Sequence, residues 1–427
     1  MSERIESNIP FVGLHAHSGL SLFDGLGYPQ EHMDFAYQNG SDALALTDHG
    51  HMNGLSYQVL HAKKMKAAGK NFKPIFGVEA YFLPSVSKWR SAYEESKEAK
   101  KKQKKTGLVI EDENASKSAK SLLNKRNHLI LLAMNQTGLN NIFKLISESY
   151  DGTNFYRYPR VDYDMLATHS EGVIATSACL GGVYAGNYWD NKDDSPDAIM
   201  DAMRLTTEKM QNIFGDRWYG ELQWNNIPEQ HELNKYIIQV ATEYGVELVS
   251  TADSHYPTPE AWRDRELYKR LGWLGKGGMP SWMSTELPEG VEEIGYELYP
   301  KNGDEMWQSY KEYSAMAKQD YDDELVRASI TRTHDIAHNR IECFMPDDTV
   351  RLPDFVVPEG KTAERALRES CVAGLRNYMK ADDPRLPDYI ERIKYELDVI
   401  EDRGFTKYFL TMKTIADKAL ELSLIHI

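Results

Sequence analysis

His15 and His17 stand one residue apart in the run FVGLHAHSGLSLFDG. In a strand, residues i and i+2 share a face, so both imidazoles can reach one metal ion. The run Phe11–His17 is short, apolar and bounded by polar and glycine residues, as a buried strand should be. Asp24 follows in a glycine-flanked loop that can fold back over the strand end. More donors arrive in the same setting. Ala43–Thr47 is an apolar run ending in Asp48-His49-Gly50, and Glu79 interrupts the apolar Pro74–Phe82. His128 begins His128–Met134, Cys179 closes Gly172–Leu180, and Asp253 and His255 close Glu247–His255.

Five histidines, three carboxylates and one cysteine exceed what a single tetrahedral ion can use, and imply a cluster of two or three divalent ions. The donor set suits zinc, while manganese or iron would favour the same nitrogen and oxygen donors. With three ions the site keeps a net positive charge and attracts phosphate. Ions about 3.5–4 Å apart can bind the attacking and leaving oxygens of a phosphoryl transfer, and a bound water can titrate near neutrality. The bland alternative is a buried cysteine, capping aspartates and core histidines, and any single member could stand behind the ligands.

Most of these donors need strands to position them. Adding Trp218–Trp224 makes seven strand candidates, and most gaps between them can hold a helix. Met33–Gly40, Leu55–Gly69, Leu139–Tyr150, Pro196–Phe214 and Pro228–Gly245 all read as helical, some ended by glycine. Such alternation predicts a parallel α/β barrel with its site at the C-terminal ends of the strands. His128 fits this least well, because it starts its strand.

The segments LHAHSGLSLFDG, ALALTDHGHMNG, KPIFGVEAYF, NHLILLAMN, GVIATSACLGG and STADSHY resemble the successive motifs of the PHP (polymerase and histidinol phosphatase) superfamily. More closely, they resemble the N-terminal PHP domain of bacterial and phage DNA polymerase III alpha subunits, the C-family replicative polymerases. The resemblance implies a distorted seven-stranded (βα) barrel with a trinuclear metal centre. Its metal positions map onto His15, His17, Asp24, His49, Glu79, His128, Cys179, Asp253 and His255, with none substituted. Some members lack these ligands and keep the domain as a scaffold. In metal-retaining members it is associated with a 3′–5′ exonuclease that can proofread.

Past about residue 280 the character changes, which predicts a barrel domain over 1–280 and a joining stretch with the start of a polymerase palm over 281–427. The runs Leu298–Trp307, Ser329–Ile341 and Leu352–Gly360 resemble the joining stretch. Tyr389–Lys418 places Ile390, Ile393, Leu397 and Ile400 at helical spacing, with Gly404 ending the helix. It resembles the family's helix at the beginning of the palm, so an incomplete α+β palm segment is expected. The family's nucleotide-binding loop and catalytic aspartates find no match here, and LSLIHI at 422–427 does not match the family's continuation. A truncated chain without polymerase activity of its own is therefore expected. DNA and replisome subunits such as a sliding clamp, engaged through a part not in this chain, are the implied partners.

A hydrophobic content of 41% supports a proper core, and no apolar run is long enough to span a membrane. MSERIESNIP lacks a signal peptide's apolar region, and three cysteines suggest a reducing cytoplasm. The net charge of −15 argues against nucleic acid at first, but says little about a local channel. The polar segment 85–125 carries six lysines between Lys97 and Lys105 and reads as a solvated helix or insertion, or as a basic arm. Tyr156, Tyr158 and Arg160 could stack a base and hold a phosphate, or simply pack a loop. Asp48 and His255 are candidates to manage protons. A 3′–5′ exonuclease, a small-molecule phosphoesterase of the histidinol-phosphatase type and a metal-stabilised scaffold are the three functional readings.

Overall fold

The computed structural model describes residues 4–106, 124–275, 297–349 and 354–422. It divides into two compact units, Met1–Pro346 and Asp347–Ile427.

In the first unit, six strands form one sheet in sequence order: β1 Ala43–Leu46, β2 Lys73–Phe82, β3 Asn127–Ala133, β4 Val173–Thr176, β5 Trp218–Gln223 and β6 Glu247–Thr251. The sheet is not all parallel. β3 runs antiparallel to both β2 and β4, while β1–β2, β4–β5 and β5–β6 pair in parallel. This corrects the expectation of a parallel barrel and resolves the position of His128. The helix Val86–Thr106 follows β2, and β3 starts at the end where β2 finishes. His128 accordingly pairs with Tyr81 near the end of β2.

The seventh expected strand, Phe11–His17, is present only as an interrupted extended segment. It bridges Leu44 through Gly13 and Ser254 through Ala16, and so lies between β1 and the end of β6. Ala45 N donates to Gly13 O and Thr47 N to Ala16 O, each at 2.8 Å. A two-residue step on β1 thus faces a three-residue step, which is a bulge. The extra residue breaks the alternation, so Leu14 lies in the interior cluster and its neighbour His15 also turns inward.

Along the other strands, alternate residues face the interior. Towards the start of most strands these residues are apolar: Ile75, Ile174, Tyr219 and Val249, with Ile336 and Ile341 below them. Towards the opposite end they are Glu79, Thr176, Glu221 and Thr251, all buried. The other face carries Phe76, Val78, Leu129, Leu131, Trp218 and Leu222 into a larger core with the surrounding helices. The expected helices are found at Pro29–Gln38, Leu55–Ala67, Gln136–Ser149, Pro196–Phe214 and Pro228–Tyr244.

Residues 297–346, expected to be joining chain, belong to the first unit. The helix Asp323–Asp335 packs on β6: Ser329 bonds Ser250 at 2.7 Å and Thr333 Oγ1 accepts from Val12 N at 3.1 Å. The compact-unit boundary therefore follows residue 346, whereas the expected domain boundary at 280 lies outside the described residues. In the insertion, Val86 and Trp89 anchor the helix in the core, and residues 107–123 lie outside the described residues.

The second unit contains the helices Ala363–Tyr378, Leu386–Asp402 and Thr406–Glu421 around Ala366, Leu367, Leu397 and Leu410. Gly404, at φ +71°, separates the last two helices, as its sequence position predicts. No strand is found among the described residues of this unit. No helix of the described residues is long and apolar enough to cross a membrane.

His32 couples the first helix to the loop that carries Asp24, with its Nε2 bonded to Leu26 O at 2.8 Å. Burial lowers its pKa from 6.5, so the unfolded chain takes up the proton first as pH falls. The stability due to neutral His32 is full above the unfolded value and is lost as pH falls from there through the folded value. Thermal unfolding at stepped pH should show parent stability declining below about 6.5, with a shallower decline in His32→Gln. Equal slopes would remove His32 from this account.

Candidate metal centre

The inward end of the sheet brings all nine candidate ligands together. Glu79 sits at their centre, fully buried on β2. Its Oε2 lies 3.0 Å from His15 Nε2 and 3.5 Å from His17 Nε2. Its Oε1 lies 2.6 Å from His49 Nδ1 and 2.9 Å from His128 Nδ1. The two oxygens therefore face two separate groups of imidazoles. Asp253 Oδ1 joins the first group, 3.0 Å from His15 Nε2 and 3.3 Å from His17 Nε2. Cys179 Sγ joins the second, 3.4 Å from His128 Nδ1. A third group forms where Asp24 Oδ2 lies 3.1 Å from His49 Nε2 and 3.7 Å from His255 Nε2.

These side chains fit metal ions on geometry. His15 Nε2 and His17 Nε2 approach to 3.0 Å, a distance at which two lone pairs need a proton or a cation between them. Asp253 Oδ1 is buried and, despite its short contacts, has no hydrogen-bond partner. Atoms that converge on a common point without donor–acceptor alignment are what an ion's ligand sphere requires. Single donor atoms of His15, His17 and Asp253, of His49, Glu79 and His128, and of His17, His49 and His255 lie within 4.8 Å of one another.

The electrostatics agree. Burial opposes charge on His15 and His49, yet neighbouring carboxylates outweigh it: Asp253 and Glu221 raise His15, and Glu79 and Asp24 raise His49. Burial also opposes ionisation of Glu79 and Asp24, but the surrounding histidines hold both well below the usual carboxylate range. Burial, Asp253 and Glu79 push the Cys179 thiol up. A bound cation would reverse that last effect, because metal coordination deprotonates a thiol.

Backbone strain marks the same residues. Phe23 (φ +62°), Ala178 (φ +58°) and Asp253 (φ +50°) are left-handed, and they precede or are candidate ligands. Each costs about 1–3 kcal/mol, which the surrounding structure must sustain. Gly25 allows the loop after Asp24 to pass the chain closely, since a Cβ there would fall 2.1 Å from Ser18 O.

Two residues escaped the sequence reading. Glu221, buried on β5, accepts from His15 Nδ1 at 2.7 Å and from Thr251 Oγ1 at 2.6 Å. A lone carboxylate inside WYGELQW was the signal, of the same kind that singled out Glu79. Arg265 donates to Asp24 Oδ1 at 2.6 Å and to Asp24 O at 2.8 Å. Nothing in its local sequence marks it.

Other candidates are placed differently from expectation. Arg160 is fully buried, bonds the carbonyls of Tyr156 and Tyr158 at 3.0 and 2.9 Å, and stacks on Trp89. It braces its own loop and cannot reach phosphate. Tyr156 packs on Tyr93. Tyr158 is nearer the site, edge-on to Tyr81 and 3.8 Å beneath the guanidinium of Arg126. Asp48 accepts from Ser18 N and Ser21 Oγ, both at 2.7 Å, and so holds the loop leading to Asp24. His255 Nδ1 donates to Asp253 O at 2.7 Å, and burial lowers its pKa to about 4. That leaves Nε2 as an unprotonated donor facing Asp24, the form a ligand takes.

Residues 13–225 match the family model of the PHP domain. The chain carries a PHP domain. Outside the PHP domain, residues 365–425 match the model of the bacterial DNA polymerase III alpha NTPase domain. DNA polymerase III subunit alpha of Aquifex aeolicus is 32% identical over 407 residues, covering 94% of this chain and 31% of its own length. The Borreliella burgdorferi subunit is 30% identical over 402 residues, with 94% and 29% covered, and that of Thermus aquaticus 30% over 394, with 91% and 27%. The chain thus spans about a third of the length of the curated relatives it matches. Among solved structures, an amidohydrolase from Chromobacterium violaceum covers 60% of this chain and 96% of its own, at 14% identity and a TM-score of 0.32.

Glu221→Gln keeps the shape at His15 but removes the anionic partner of its Nδ1. Loss of such a partner typically weakens metal binding by about 10–100-fold. Chelator competition should show that weakening without loss of fold by circular dichroism. Unchanged affinity would mean that Glu221 serves packing alone.

Proposed function

We propose that the PHP mouth is a metal-dependent phosphodiesterase site acting on DNA 3′ ends, the 3′–5′ exonuclease module of a DNA polymerase III alpha subunit. The observation that carries this reading is the convergence of nine donor side chains at one end of the sheet, Glu79 among them, with the oxygen of Asp253 left without a hydrogen-bond donor. Similarity to alpha subunits over most of the chain favours a nucleic-acid substrate over a small phosphate ester.

Divalent ions, zinc first and manganese or iron as alternatives, would polarise a phosphoryl oxygen and lower the pKa of water. His15, His17, Glu79 and Asp253 would hold one, Glu79, His128 and Cys179 a second, and Asp24, His49 and His255 a third. Glu221 and the carbonyl of Asp253 hold His15 and His255 in orientation. Arg265 fixes Asp24 and adds positive charge beside the site. Arg126 stacked on Tyr158, with Tyr81 beside His49 and His128, would receive the terminal nucleotide by stacking and charge. Frayed or mispaired ends would be preferred, because they reach a recessed site without the cost of unpairing, about a few kcal/mol.

Residues 281–427 would hold the joining stretch and the first part of the palm, with nucleotidyl transfer, clamp binding and most DNA contacts supplied elsewhere in a cytoplasmic replicative polymerase. Primer extension by this chain alone should therefore not exceed a no-enzyme control.

A labelled 3′-mismatched primer tests the exonuclease. The metal-loaded parent should shorten it slowly, and His17→Ala and Asp253→Ala should each lose at least about tenfold, the lower limit for disturbing even the outer partners of a metal. Equal degradation by all three would point to contamination. A parent inert on DNA yet active on small phosphate monoesters would favour the phosphatase reading. A fully metallated parent inert on both would favour the scaffold.

A further inference from the structure

The other end of the barrel holds a second set of metal-capable side chains, remote from the mouth. Asp42 immediately precedes β1, at the end of that strand opposite His49. His334 lies in the last turn of the helix Asp323–Asp335, and His338 in the π-helical turn Ile336–Arg340 that follows. His338 Nε2 lies 3.0 Å from Asp42 Oδ1, and the two imidazole centroids are 4.3 Å apart. One donor atom from each of the three residues lies within 4.8 Å of the others.

The fold explains the placement. Ile336, Ala337 and Ile341 enter the interior cluster and close the barrel floor. The helix widens there, with Ile341 N donating to Ile336 O at 3.0 Å across five residues. Lys73, at the start of β2, donates to Ala337 O and Ile341 O, which occupies the nearest ammonium with backbone carbonyls. The two histidines are left on one side of this turn beside Asp42. An adjoining cavity of about 440 Å³ is lined by Asp42, Lys73, His338, Arg340, Glu342 and Cys343.

We propose that Asp42, His334 and His338 bind a divalent transition ion of the zinc type, separate from the PHP cluster. Two imidazoles and one carboxylate are a common three-ligand set for zinc, and the cavity side leaves room for a fourth ligand. The ion would clip the start of β1 to the helix that closes the floor, and its binding energy would add to the stability of the first unit. The competing reading is a hydrogen-bonded histidine–aspartate pair that needs no ion.

The 427-residue chain is equilibrated with micromolar zinc, dialysed, and assayed by elemental analysis, with cobalt substitution followed by visible absorption. His334→Asn/His338→Asn should hold one ion fewer than the parent and lose one component of the cobalt spectrum. The complementary variant, His17→Ala/Asp253→Ala, should retain a cobalt signal that Asp42→Asn weakens by about tenfold or more. The same zinc content in parent and His334→Asn/His338→Asn would overturn the proposal. So would a cobalt signal that Asp42→Asn leaves unchanged. If the mouth variant does not fold, the stoichiometry of the floor variant in the intact chain decides alone.

Discussion

A carboxylate with no exposure to water stands at the centre of this barrel, and much of the inner architecture answers to it. Desolvating an unpaired anion costs about several kcal/mol even after relaxation, so Glu79 is tenable only among positive partners. Four imidazoles face its two oxygens, two on each, around the points where a cation would sit. Each of those imidazoles needs its own orientation, and this propagates outwards. Glu221 holds His15, Asp24 meets His49, and Arg265 holds Asp24. A cluster built this way favours cations that can replace shared protons, which is why the same contacts that look strained as hydrogen bonds look ordinary as a ligand sphere.

The price of that arrangement appears in the backbone. The bulge opposite β1 turns His15 inward beside Leu14, where a regular strand would have placed one of them outside. Left-handed residues stand at or just before Asp24, Cys179 and Asp253, where three different loops must turn a donor into the mouth. The barrel interior is divided along its axis: polar and anionic where the donors meet, apolar where Ile75, Val249 and Ile336 close the floor. An apolar floor keeps water from reaching the cluster from below and leaves its interactions strong.

Local charge departs from the overall balance. A chain with a net charge of −15 places Arg265 and Arg126 at an opening that also holds the carboxylates of Asp24, Glu79 and Asp253, so positive charge there depends on bound ions. Whole-chain charge governs solubility and long-range encounter, whereas recognition depends on the few groups within a Debye length of the site, about 10 Å. The small core of the second unit rests on Leu367, Leu397 and Leu410, and Arg368 pairs with Glu401 and Asp398 at its surface.

Donor identity and strand placement were legible in the sequence, because an imidazole or carboxylate inside an apolar run is costly unless something uses it. Glu79 in PIFGVEAYF and Asp253 with His255 at the end of a strand are of this kind, and the period of two determined which neighbours share a face. The helices Pro196–Phe214 and Pro228–Tyr244 were equally readable from proline and serine starts and glycine stops. What the chain could not reveal locally was decided by pairing over long separations. The direction of β3, which puts His128 beside Tyr81, depends on where the preceding segment leaves the sheet. Arg160 read equally as a phosphate ligand or as loop packing, and folding encloses it against Trp89. Arg265 gained its place only because a helix more than two hundred residues away in sequence packs beside Asp24. Residue chemistry is local, but solvent exclusion and contact partners belong to the tertiary structure, and these separate a ligand from a brace.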